Sequence, residues 1–262
     1  MGHQRLGKLP ARRLLPDIVR FLLDGGQPSA ALVSKVHDIE HRALEAAQRD
    51  PVFIESLWLL MSLPQVAGSA NFEQAAAALG IRLAAPLSLP GLLSACDSAL
   101  ERVQRRSSSG TTDLGEIARQ SALSSLADAA EARLPRLWTA TADDVRHSVA
   151  ALRSAEASAE LVQQFHARFV ERVLHYYIDR NLHRLVGVHD ATKSLADVAS
   201  FGGALARHCN EASLITRAFA RDWIGKNVYR DGKTISQDDV RRFACYSLEK
   251  LRRELAMRMG PA

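Results

Sequence analysis

The chain has 262 residues and a mass of 28.7 kDa, with 47% apolar and 24% charged residues, which suits one large folded domain or two small ones. That balance excludes a collagen-like or disordered chain, a disulfide-stapled miniprotein and a polytopic membrane protein. Aromatic residues make up only 6% while Ala, Leu and Arg abound, so helices are favoured over sheets.

The formal net charge is +5, and it is unevenly spread. From Arg217 onward there are 11 basic and 6 acidic residues, and residues 1–20 hold five basic residues and one acid, so the interior is slightly acidic. Basic ends of this kind can meet nucleic acid, an acidic protein face or simply water. Cys96, Cys209 and Cys245 are odd in number and lack C-x-x-C spacing, which points away from a disulfide framework or zinc knuckle and toward reduced thiols in a cytoplasm. Near the start, Arg5, Lys8, Arg12 and Arg13 precede Leu14 and Leu15, but Asp17 and Arg20 break the apolar run a secretory signal needs. Leu6 stands where a myristoylation motif needs Ser or Thr, and the closest approach to a spanning apolar run, 57–63, is too short to cross a bilayer.

In chain order, Leu14, Ile18, Phe21 and Leu22 form a first helical stripe, stopped at Asp24-Gly25-Gly26. Ser29 precedes a second helix with Leu32, Val36, Ile39 and Ala43 on one face. Asp50-Pro51 restarts the chain into a short buried helix carrying Val52, Ile54, Leu57, Trp58 and Met61, which Pro64 is expected to end. Asn71 is placed as the cap of an Ala-rich helix closed by Gly80. A Pro-rich passage, 85–90, then leads into a helix over 92–103. The stretch 105–110 is the most polar, and the expected division is an N-terminal helical subdomain over 1–106, a Ser/Gly-rich linker over 107–112 and a C-terminal bundle over 113–262.

Asp113 with Glu116 reads as a capping-box start for a helix over 114–133, and Thr141 with Asp144 starts another. The longest helix, about 154–186, spreads Phe165, Phe169, Val170, Val173, Leu174, Tyr177, Ile178 and Leu182 over more than half its circumference, as a central bundle helix does. A further helix over 194–223 is expected to weaken, or to cross a neighbour closely, at Gly202-Gly203. Ser236 and Asp239 open the last helix, to about Met257, with Val240, Ala244, Leu248, Leu251 and Leu255 inward. No alternating run is long enough for a strand and no repeat stands out, so the expected fold is all-α, a bundle of nine or ten helices without significant sheet.

Five patterns could carry chemistry. His37, Glu40 and His41 match H-x-x-E-H, in which two imidazoles one turn apart hold zinc and the carboxylate takes a proton from its bound water; Glu116 could be a third ligand. Enzymes of that pattern line their clefts with strands, so a pair of helix-face histidines is the expectation and the metal-dependent hydrolase the lesser alternative. Glu171, His175, Asp179 and His183 share one seam at helical spacing, but Arg168 and Arg172 beside them would pair with Glu171 and repel a cation. Residues 231–239 resemble a calcium loop, yet in either register a Tyr or a Lys falls where a ligand or glycine belongs, so a turn and an N-cap are expected. His208 and Cys209 are adjacent and point about 100° apart, which rules out a direct nucleophile–base pair.

The fifth pattern is basic: Arg217, Arg221, Lys226, Arg230, Lys233, Arg241, Arg242, Lys250, Arg252 and Arg253, with Trp223 and Tyr229 interleaved, could track phosphates and stack on bases. Acids dilute that track, and Trp223 with Tyr229 reads equally as a hydrophobic plug at a helix end. The sequence offers no catalytic residue, no cofactor and no enzyme activity. It favours an adaptor that docks onto other protein subunits or onto itself, in a high-GC bacterium by its Ala/Arg-rich composition. A nucleic-acid-binding accessory protein is the alternative.

Overall fold

The computed structural model describes residues 41–108, 110–137, 139–182, 195–232 and 234–258. The helix read over 14–22, most of the one after Ser29, His37, Glu40, His183 and Lys233 lie outside the described residues. Within them the chain is 80% helical and has no strand, the all-α bundle that the periodicity requires.

After helical backbone at 41–47 the elements are α1 (Pro51–Ala67), α2 (Phe72–Ala78), α3 (Leu89–Arg106), α4 (Asp113–Glu131), α5 (Ala142–Ala150), a single 3-10 turn (Ala151–Arg153), α6 (Ala155–Leu182), α7 (Leu195–Ile224), a π-turn (Gly225–Arg230) and α8 (Gln237–Arg258). No helix among the described residues is long and apolar enough to cross a membrane.

The centre belongs to α1, which touches α2, α3, α4, α5, α6, α8 and the 3-10 turn. Asp50 starts it. One carboxylate oxygen accepts from the Val52 and Phe53 amides at 2.8 and 3.1 Å, and the other accepts from the Thr112 hydroxyl at 2.6 Å. Pro64 does not end α1 as expected. Its missing N–H loses one intrahelical bond, but Leu63 and Ala67 are fully buried on either side. The Ala67 carbonyl is also capped by the Arg146 guanidinium at 3.1 Å. Packing on both sides of the proline outweighs the lost bond.

Three further boundaries differ from expectation. Asn71 stands at the start of α2 but its side chain makes no capping bond, while Gly80 closes the turn with φ +79° as predicted. The cap of α4 is Thr112, whose hydroxyl accepts from the Gly115 amide at 2.8 Å, one residue before the expected Asp113. Glu116 then serves Arg119 at 2.8 Å, and Asp113 accepts from the Tyr176 hydroxyl. Gly115 is required there: a Cβ would stand 2.8 Å from the Thr112 hydroxyl and 3.2 Å from Val52. α7 runs unbroken through Gly202-Gly203, and Gly202 is not a close crossing, since a Cβ there would meet nothing within 4 Å.

The other caps fall where the spacing put them. Thr141 and Asp144 form a reciprocal capping box, and so do Ser236 and Asp239, with amide bonds of 3.2 Å each way. α6 and α7 lie antiparallel, as Glu156 pairs with Arg217 at one end and Gln163 with Asn210 and Ser213 further along. Phe53 on α1 meets Phe165 and Phe169 on α6 at ring distances of 5.2 and 4.8 Å, and Phe219 and Trp223 on α7 both meet Phe243 on α8. The hydrophobic cluster takes Leu92 and Leu100 from before the 107–112 stretch and Leu114 and Leu126 from after it.

Candidate functional site

Each chemistry-bearing pattern has a definite place in this bundle. His41 lies beside α8, where its Nε2 accepts a hydrogen bond from the Arg252 guanidinium at 3.0 Å and its Nδ1 faces Glu45 at 3.9 Å. A guanidinium only donates, so the Nε2 lone pair that a metal would need is already engaged, and a fixed positive charge sits beside it. Along α6, Arg168 and Arg172 do not pair with Glu171. Arg168 reaches Asp128 of α4, and Arg172 donates to Ser121 and Ser124 of the same helix at 3.0 and 2.8 Å. They bind α6 to α4 because α4 presents small serines on the face that α6 covers. Burial and the neighbouring Arg168 hold Arg172 below the usual arginine range. Among the described residues no three His, Cys, Asp or Glu side chains gather as a metal would need.

In the 231–239 stretch Gly232 stands at φ +61°, and Ser236 with Asp239 caps α8. Its Ile235 is buried and its carbonyl accepts from the Trp58 indole at 2.9 Å. Cys209 faces the core, as does Cys96, whose thiol burial pushes up to about 12.

Two buried polar pairs escaped the sequence reading. His166 on α6 is fully enclosed; its Nδ1 donates to the Val162 carbonyl at 2.8 Å, and its Nε2 lies 3.3 Å from the Ser247 hydroxyl on α8. A hydroxyl beside an imidazole is nucleophile chemistry in outline, but neither group has any exposed surface for a substrate to reach. Burial holds the imidazole neutral, down to about 4. Glu55 on α1 is 8% exposed, with Gln237 donating to its carboxylate at 2.6 Å, and burial pushes it up to about 7. The signal available in the sequence was the phase of each residue. Both sit at inward positions of helices whose neighbouring inward positions are apolar.

The basic residues lie along α7 and α8, and their charges are largely matched in place. Arg241 pairs with Asp238 at 3.0 Å, Arg242 with Asp239 at 2.6 Å, and Arg253 with Glu249. Arg217 and Arg221 share Glu156, and Arg230 meets Asp231 at 3.4 Å. Lys250 stands over the Phe219 ring at 5.5 Å. Trp223 is half-buried against Phe243, and the Tyr229 hydroxyl donates to the Arg153 carbonyl. The two rings therefore serve the helix end. The outer face of α8 also shows two large apolar side chains, Tyr246 at 60% exposure and Met257 at 69%. Helical spacing puts Arg242, Tyr246, Lys250, Arg253 and Met257 along one side of that face.

No protein-family model, no curated protein and no solved structure matches this chain.

Proposed function

We propose that this chain is a non-catalytic, all-helical adaptor subunit that docks onto another protein through the outer face of α8. The observation that carries the reading is Tyr246, 60% exposed in a row with Arg242, Lys250 and Arg253. Tyrosine and arginine are the side chains that protein interfaces concentrate, because both bring large, stiff contact area with polar tips. The paired charges add to this. A phosphate track works through unmatched cations that release counterions, whereas Arg241, Arg242 and Arg253 each already face a carboxylate. Such a mosaic suits a partner protein that exchanges some of those pairs across an interface. The enclosure of His166, Ser247 and Glu55 supports a structural role for the ionisable groups of the core.

The test is co-purification of the tagged full chain from its native host at about 150 mM salt, comparing wild type with Tyr246→Asp and with Arg242→Glu. Partner proteins held by wild type and lost from both variants, with helicity unchanged, are the expected result. Equal recovery by all three forms would overturn it. So would micromolar binding of DNA or RNA at that salt that disappears when Arg241, Arg242 and Arg252 are reversed to Glu, which would make the chain a nucleic-acid-binding accessory protein.

A further inference from the structure

The start of α2, the connection from α2 to α3 and the N-terminal half of α5 enclose an open-sided cavity of about 630 Å³. That volume lies within the range of small-ligand sites, about 300–1,000 Å³. Phe72 and Leu83 give it apolar surface, and Asn71, Glu73, Asp143 and Arg146 give it polar groups.

These polar groups are within reach of a ligand and are not spent on one another. Arg146 is half-buried, and its Nε donates to the Ala67 carbonyl at 3.1 Å, which fixes the plane of the guanidinium. Its terminal nitrogens, Nη1 and Nη2, stay open to solvent and have no acceptor among the described residues. A guanidinium anchored in this way offers parallel donors that match a carboxylate. Asp143 precedes Arg146 by three residues, the spacing at which Asp238 pairs with Arg241 and Asp239 with Arg242 on α8. With Nε committed to Ala67, Asp143 and Arg146 form no such pair. The carboxylates of Asp143 and Glu73 are exposed and have no partner among the described residues. Asn71 makes no capping bond to α2, so its amide is free as well.

We infer that this cavity binds an α-amino acid with a cationic side chain. The ligand carboxylate meets Nη1 and Nη2 of Arg146, its α-ammonium meets Asp143, and its side-chain cation meets Glu73. The methylenes between lie on Phe72 and Leu83. The charges then balance, since the wall carries one guanidinium and two carboxylates. A neutral amino acid leaves Glu73 unmatched, a polyamine without a carboxylate meets the Arg146 charge unscreened, and a phosphate is repelled by both acids.

The probes are L-lysine, L-arginine and L-ornithine, titrated separately into the full chain and followed by calorimetry and amide chemical shifts. The expected result is saturable binding of at least one at millimolar concentration or below, with the largest shifts in α2, α5 and residues 83–87. L-norleucine, which lacks the side-chain cation, and lysinamide, which lacks the carboxylate, should each bind about tenfold more weakly than lysine or worse. Asp143→Asn and Arg146→Gln should weaken lysine binding by a similar factor, and Glu73→Gln should remove the preference for lysine over norleucine. Arg146→Gln also disturbs the contact with Ala67, whereas Asp143→Asn and Glu73→Gln alter carboxylates with no internal partner and so guard against a folding defect. No binding of the three amino acids, equal binding of lysine and norleucine by wild type, or lysine binding indifferent to Asp143→Asn would each overturn the inference.

Discussion

Glu55 and His166 make opposite demands on the pH dependence of stability, and a single pair of variants separates them. Burial raises the Glu55 carboxyl from 4.5 to about 7, so the folded state holds its proton more tightly than the unfolded chain. Stability from this group is complete below pH 4.5 and is lost as pH rises through 7; at 1.36 kcal/mol per pH unit, the gap corresponds to about 3 kcal/mol. Burial lowers the His166 imidazole from 6.5 to about 4, so its contribution is present above pH 6.5 and is lost as pH falls toward 4, again by about 3 kcal/mol. Between 4.5 and 6.5 the two slopes oppose each other, and these two groups together leave wild type almost flat. Glu55→Gln removes the falling slope, so its stability climbs with pH from 4 to 6.5 and exceeds wild type most above pH 7. His166→Leu removes the other, and its stability falls from 4.5 to 7 whatever its baseline. Urea denaturation from pH 4 to 8 at constant ionic strength measures both. A Glu55→Gln variant whose stability follows the wild-type pH curve would refute the reasoning.

Urea denaturation also distinguishes the two caps: Asp50→Ala should cost about 2 kcal/mol, since it strands two amides and the Thr112 hydroxyl, while Asn71→Ala should cost less than about 0.5 kcal/mol. Gly202→Ala should raise stability by about 0.5–1 kcal/mol, because the added methyl meets nothing and the helix interior gains a better helix former; a lower melting temperature would contradict this. Metal analysis of the purified chain should find far less than one zinc per molecule, because Arg252 engages His41, and stoichiometric zinc lost on His41→Gln would revive the hydrolase alternative.

Much of this bundle was legible because helices announce themselves by period and cap. The inward row Val240, Ala244, Leu248, Leu251 and Leu255 is buried throughout, and the Thr141 and Ser236 boxes form as read. What escaped were outcomes of tertiary packing. Pro64 stops a helix by local rules, but α1 is so enclosed that the rule is overridden. The wide apolar arc on α6 is buried at Phe165, Phe169, Val170, Val173 and Leu174, while the shorter α1 is enclosed on nearly every side and so shows no stripe to read. The Arg168–Asp128 and Arg252–His41 contacts join residues 40 and 211 positions apart, which no helical spacing can indicate. The His166–Ser247 and Glu55–Gln237 pairs were hidden for the same reason.

The central claim is that the outer face of α8 meets a protein, and a photo-crosslinking side chain placed at Tyr246 tests it most directly. Irradiation in native-host cells should give discrete protein adducts at 246 that are absent when the same group is placed at Glu73 on α2, an exposed position far along the chain. Adducts to nucleic acid at 246, or identical patterns at both positions, would contradict the claim.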